Sequence, residues 1–104
     1  DSITYAVALS ACEKSSQHRQ ACELIELMRQ YESLPNALAY RTAISSCEKG
    51  SDYAQVLRLM DEMRRYSEVP DEVTYNAAIR SCEKGSQYEL ALSLIEEMRR
   101  IVTD

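Results

Sequence analysis

The sequence predicts an all-α fold, an α-solenoid of three antiparallel helix-turn-helix repeats in one domain. The units span about residues 2–36, 37–71 and 72–104. Three observations carry this reading. Ala11-Cys12-Glu13-Lys14-Ser15-Ser16 returns as Ser46-Cys47-Glu48-Lys49-Gly50-Ser51 and as Ser81-Cys82-Glu83-Lys84-Gly85-Ser86, at a constant interval of 35 residues. Tyr5, Tyr40 and Tyr75 keep the same interval, as do Ala8, Ala43 and Ala78, and Met28, Met63 and Met98. Within each unit the apolar residues fall into two stripes at helical spacing, with turn residues between them and Pro35 and Pro70 closing the first two units. A fixed period of this size marks a stack of supersecondary units, each too small to bury its own apolar faces.

The first helix of each unit (helix A) follows from Tyr5, Ala8, Leu9 and Cys12, which fall at i, i+3, i+4 and i+7, one stripe of an amphipathic helix. The equivalent stripes predict A helices over about 3–14, 38–49 and 73–84. Gly50 and Gly85 are expected to stop the second and third of these in the left-handed conformation that follows a helix end, with Ser15 in that place in the first unit. Ser16, Ser51 and Ser86 are then expected to cap the second helices (helix B), and Ser86 with Glu89 fits a capping box. Ala21, Leu24, Ile25 and Met28 set the helix B stripe, which recurs as Val56, Leu59, Met60 and Met63 and as Ala91, Leu94, Ile95 and Met98. This predicts B helices over about 17–30, 52–65 and 87–100. Arg29, Arg64, Arg65, Arg99 and Arg100 stand in their last turns, where cations favour the negative end of the helix dipole. Pro35 and Pro70 precede the next A helices, and Asn36 and Asp71 behind them are suited to start those helices. The pairs should stack into a short arc, right-handed or flat, with the A helices lining one face. Tyr53 and Tyr88, just after the start of helix B, are expected to pack between units.

Composition narrows the function. No apolar run approaches the roughly 18 residues that span a bilayer, so no direct membrane insertion is expected. Three of the four cysteines are repeat equivalents, expected to lie about one helix layer apart and so beyond disulfide reach, and Cys22 stands alone at its repeat position. All four read as small, reduced core residues. No Cys-x-x-Cys or histidine pair offers a metal site, and no cofactor is implied. His18, the only histidine, has no nucleophile or metal partner in view and reads as an exposed residue near a cap. No residue is a catalytic candidate, and no small-molecule substrate is expected. The tyrosines at the repeat interval are in phase with buried positions and read as core.

A 35-residue helix-turn-helix unit with Tyr early in helix A, Met late in helix B and a closing Pro-Asn or Pro-Asp resembles the pentatricopeptide repeat. The third unit shows it best, in Val73-Thr74-Tyr75-Asn76-Ala77-Ala78-Ile79, Cys82-Glu83-Lys84-Gly85 and Ala91-Leu92-Ser93-Leu94-Ile95-Glu96-Glu97-Met98. The Trp and Leu-Gly signature of the 34-residue tetratricopeptide repeat does not occur. The Cys-Glu-Lys-Gly wording resembles repeats of algae and related protists. The resemblance implies an organelle protein, of chloroplast or mitochondrion, and a helix A face that reads single-stranded RNA at about one base per repeat. On that analogy Ile3, Leu38 and Val73 are apolar wedges. Ala6, Arg41 and Asn76 are first base readers, Asn36 and Asp71 second readers, and Lys14, Lys49 and Lys84 phosphate contacts. From residue type and position alone the lysines read as solvated cations at helix C-termini.

Two of these positions depart from the family pattern. Ala6 has no polar atom to offer, and Arg41 is long enough to pair with Asp71 and occupy both readers. The net charge of −5 disfavours a phosphate-binding surface taken alone. Its distribution softens that argument: within the predicted A helices Glu13 and Lys14 cancel, whereas Arg41, Glu48 and Lys49, and likewise Arg80, Glu83 and Lys84, each leave one positive charge. Two readings of different class follow. The favoured one, from the small repeat number and the irregular readers, is a structural or protein-docking subunit of a large organellar assembly. The alternative is a single-stranded RNA-binding module in organellar RNA processing or translation.

Overall fold

The computed structural model describes residues 2–15, 17–31 and 34–103, with the backbone alone at 2, 3, 102 and 103. Among the described residues six helices run in order: α1 Ser2–Lys14, α2 His18–Gln30, α3 Ala37–Lys49, α4 Tyr53–Arg65, α5 Glu72–Lys84 and α6 Tyr88–Thr103. Among the described residues there is no strand. The helices form three antiparallel pairs. The A helix α3 lies against both α1 and α5, while α2 packs on α3 and α4 on α5, so α2 and α4 each fill the groove between their own A helix and the next. The stack measures 37 × 28 × 19 Å.

The starts of α3 and α5 follow the expected chemistry. Asn36 Oδ1 accepts the Ala39 backbone N–H at 2.9 Å, and Asp71 Oδ1 accepts that of Thr74 at 2.9 Å. Each satisfies one of the amides that a helix leaves free in its first turn. Pro35 and Pro70, lacking an N–H, sit buried just before these caps.

The A-to-B turns differ from expectation. Gly50 and Gly85 have ordinary negative φ, −83° and −89°, and the left-handed residues are Ser51 and Ser86, both at φ 60°. Ser51 N–H donates to Glu48 C=O at 3.1 Å and Asp52 N–H to Cys47 C=O at 2.9 Å; Ser86 and Gln87 repeat this pattern on Glu83 and Cys82. These are Schellman closures, which tie up the last carbonyls of the A helix. Ser51 and Ser86 therefore end one helix and do not cap the next. Asp52 precedes α4 with no side-chain cap bond, as does Gln17 before α2, and the Ser86–Glu89 capping box does not form because α6 starts at Tyr88. Ser16 lies outside the described residues. A third left-handed serine, Ser67, closes α4 in the same way.

The glycines serve a different purpose. A Cβ at Gly50 would stand 2.2 Å from His18 Nδ1, and one at Gly85 would stand 3.4 Å from Tyr53 Cδ2. The first residues of α2 and α4 thus rest on the end of the next A helix, and glycine makes room for them. His18 is accordingly half-buried, 3.7 Å from Asp52, and is not the exposed residue expected from sequence. Tyr53 packs between units as expected. Tyr88 is 61% exposed, since no following A helix packs on the start of α6 among the described residues.

Burial follows the same logic. Tyr40, Ala43, Ile44, Cys47, Val56, Leu59 and Met63 in the middle unit are fully buried. Ile95 is 36% exposed although its equivalents Ile25 and Met60 are buried, and Leu92 is 67% exposed. Tyr40 and Tyr75 are buried and Tyr5 partly so, which places this series in the core. The Tyr40 hydroxyl donates to Glu62 Oε2 at 3.0 Å, and Arg29 Nη1 meets Glu62 Oε1 at 2.7 Å. Arg29 and Arg64 therefore do more than neutralise helix ends: they bridge to Glu62 and Glu97 of the next unit.

Candidate nucleic-acid interface

An α-helix turns once every 3.6 residues, so positions 38, 41, 45 and 49 fall on one stripe of α3. Leu38, Arg41, Ser45 and Lys49 share that face, and Val73, Asn76, Arg80 and Lys84 share the corresponding face of α5. Leu38 and Val73 are each 52% exposed, which leaves them free to pack against a planar group. Ile3 belongs to α1, but its side chain lies outside the described residues.

The positions assigned to the first repeat junction converge on a cleft. Ala6 of α1, Asn36 of the connecting loop and Leu38 of α3 line a hollow of about 240 Å³, together with Ser10, Leu34 and Thr42. Its walls are mainly apolar. Asn36 Oδ1 is committed to the Ala39 amide, which leaves the carboxamide nitrogen as the edge available to a ligand. Ser10 and Thr42 were not singled out from the sequence, although both stand close to the stripe that joins wedge to lysine. The Thr42 hydroxyl donates to Leu38 C=O at 3.0 Å and is spent on its own helix.

The second junction is closed by its own side chains. Arg41 Nη1 lies 2.9 Å from Asp71 Oδ2, so the two positions assigned as readers by analogy engage each other, as the length of Arg41 led us to expect. Asp71 Oδ1 meanwhile accepts the Thr74 amide and hydroxyl. Burial alone would raise the Asp71 carboxyl; the Thr74 bonds and Arg41 outweigh it and hold the carboxyl below its usual range. Asn76 is half-buried in α5. The structure does not bring it together with a second reader.

The lysines carry a feature invisible in the repeat pattern. Lys49 Nζ lies 3.5 Å from Glu13 Oε2, which also accepts the Ser45 hydroxyl at 2.8 Å. One unit on, Arg80 Nη2 and Lys84 Nζ lie 3.0 and 3.5 Å from the two oxygens of Glu48. Glutamate at the end of one A helix thus grips the next. Glu48 is buried, which by itself would raise its carboxyl, yet Arg80 and then Lys84 hold it below the usual range. Lys49 and Lys84 remain half-exposed, and an ammonium with three donors keeps N–H groups for a further partner. Lys14 is exposed at the end of α1. One expectation weakens: α5 begins at Glu72, whose carboxylate cancels the positive excess predicted for that helix.

No curated protein sequence matches the chain. Among solved structures it is similar to the crystal structure of the pentatricopeptide repeat protein PPR10 from maize, with a TM-score of 0.84 at 22% identity; the match covers 96% of this chain and 14% of that one. At this identity the likeness establishes the fold. The family model described as PPR repeat matches three times, at residues 3–32, 38–67 and 73–101. With nearly its whole length accounted for by three such units, the chain belongs to the pentatricopeptide repeat family.

Proposed function

We propose that the chain is a single-stranded RNA-binding module that takes up a base at its first repeat junction. The observation that carries this is the cleft where Ala6, Asn36 and Leu38 meet: an apolar slot with one polar edge, bordered by an exposed aliphatic wedge. A slot of that kind suits a planar base, and half-exposed Lys49 and exposed Lys14 extend the same face towards a phosphate backbone. Membership of a family whose members typically bind RNA favours this reading over the protein-docking subunit preferred from sequence, for which neither the family nor the similar structure offers support. The family's repeat fold is generally non-catalytic, in keeping with a binding role. An organellar setting belongs to the proposal on family grounds. Specificity is limited, since the second junction is closed by Arg41 and Asp71.

A titration of fluorescent random-sequence RNA against the chain tests the proposal. Binding should weaken with salt at a log–log slope of about −2 for three phosphate contacts. A Lys14/Lys49/Lys84→Gln variant that keeps its helical circular dichroism should lose most of that slope. Binding indifferent to both salt and the three lysines, or no binding by the parent at low salt, would reject the reading.

A further inference from the structure

Cys22 has no cysteine at the equivalent place in the other units, yet it is not isolated in space. Its Sγ lies 3.3 Å from Cys47 Sγ, across the junction between α2 of the first unit and α3 of the second. Both thiols are free. The repeat arithmetic compares cysteines at matching positions and so misses this pair, which joins two different positions 25 residues apart. We propose that Cys22 and Cys47 form a reversible disulfide, a thiol-oxidation site that staples the first repeat to the second.

The geometry suits the bond. A disulfide requires about 2.05 Å between sulfurs, so the two atoms must close by little more than 1 Å. The two thiols also divide the labour. Cys22 is half-buried and reachable by a small oxidant, whereas Cys47 is fully buried. The hydrogen bond from Cys47 holds the Cys22 thiol below its ordinary range despite burial, and Arg58 assists. The same hydrogen bond together with burial pushes the Cys47 thiol up. Asp52 opposes thiolate formation at both sulfurs, and Gln55 Oε1, at 4.0 Å from Cys22, is the neutral neighbour. Cys22 is therefore the attacking sulfur and Cys47 the resolving one.

With hydrogen peroxide as oxidant the chemistry balances. The Cys22 thiolate attacks one peroxide oxygen, the O–O bond breaks, and hydroxide leaves, giving a sulfenic acid on Cys22. The Cys47 sulfur then attacks the Cys22 sulfur. The S–O bond breaks, and the Cys47 proton leaves with the departing hydroxide as water. Two sulfurs are oxidised by one electron each and the peroxide is reduced by two. A dithiol reductant reverses the bond by thiol–disulfide exchange.

The test uses the chain with dilute hydrogen peroxide, followed by alkylation, intact mass and peptide mapping without reductant. The expected result is loss of two hydrogen atoms, a single cross-linked peptide pair containing Cys22 and Cys47, and a rise in Tm on the order of 10 °C that dithiothreitol abolishes. Cys12→Ser/Cys82→Ser should leave the cross-link intact. Cys22→Ser should abolish it without loss of fold, since Cys22 is only half-buried. A stable sulfenic acid on Cys22 with no cross-link, a cross-link to another cysteine or between chains, or a Tm that does not rise would each overturn the proposal. The peptide map of the parent decides the matter even where a variant fails to fold.

Discussion

Arg41 of α3 and Asp71, the cap residue of α5, face each other across the second repeat junction, with Arg41 Nη1 2.9 Å from Asp71 Oδ2. The two oxygens of Asp71 divide between that guanidinium and the first turn of α5. A base entering here would have to displace a charged partner. Arg41→Asn removes the long arm and leaves Asp71 on its helix. Stability should change by less than about 1 kcal/mol, as both side chains are well exposed. On the RNA reading, discrimination between bases should rise by roughly fivefold at one position, the worth of about one hydrogen bond. Competition between homopolymeric oligonucleotides measures it; unchanged discrimination would show that the Arg41–Asp71 pair does not block a reader.

The turns offer a second prediction. A non-glycine residue in the left-handed region costs roughly 1–2 kcal/mol, and glycine gives back about 0.5–1 kcal/mol in chain entropy. Ser51→Gly and Ser86→Gly should therefore each stabilise the fold by about 0.5–1 kcal/mol. Gly50→Ala should destabilise by about 1–3 kcal/mol, because its Cβ would enter the His18 ring. Gly85→Ala, with its nearest contacts at 3.3 and 3.4 Å, should cost far less. Urea midpoints of the four variants check this order. Equal losses at the two glycines would contradict the assigned turn geometry.

Core truncation should depend on position in the stack. Met63 is fully buried, in a helix held between α3 of its own unit and α5 of the next, whereas Met98 is only partly buried. Met63→Ala should cost roughly 2–5 kcal/mol and Met98→Ala clearly less. Denaturation curves of the two variants side by side decide it, and equal or reversed losses would count against stacking as the source of stability.

Acid should loosen the A-to-A contacts. The Glu48 carboxyl is lowered from 4.5 and the Asp71 carboxyl from 3.8, each by partners that exist only in the folded state. A depressed carboxyl contributes stability that is complete above its unfolded value and lost as pH falls through the folded one. Tm should fall as pH drops below about 4.5, because the unfolded chain binds more protons there. Glu48→Gln should be less stable than the parent at neutral pH by roughly 1–3 kcal/mol. The two Tm curves should converge as pH falls through the lowered folded-state value, where the parent's carboxylate is itself lost. Parallel curves through that range would remove Glu48 from the acid response.

Periodicity along the chain was enough to determine the helices. The stripes set by Tyr5, Leu9 and Cys12 and by their repeat equivalents place every helix start within one residue of the structure, because amphipathic spacing is a property of a single helix and is written in consecutive residues. The same holds for the Asn36 and Asp71 caps, whose acceptors reach only three residues forward. The Arg41–Asp71 contact was legible because the repeat analogy put both side chains at one junction. What lies between repeats was not legible in this way. That Cys22 meets Cys47, that His18 rests on Gly50, and that Glu13 holds Lys49 depends on the offset and rotation of one unit against the next, over separations of 25 to 36 residues. The left-handed dihedrals fell on Ser51 and Ser86, and not on the glycines, for the same reason: packing of the preceding B helix claimed Gly50 and Gly85 for space, and the turn took its positive φ one residue later.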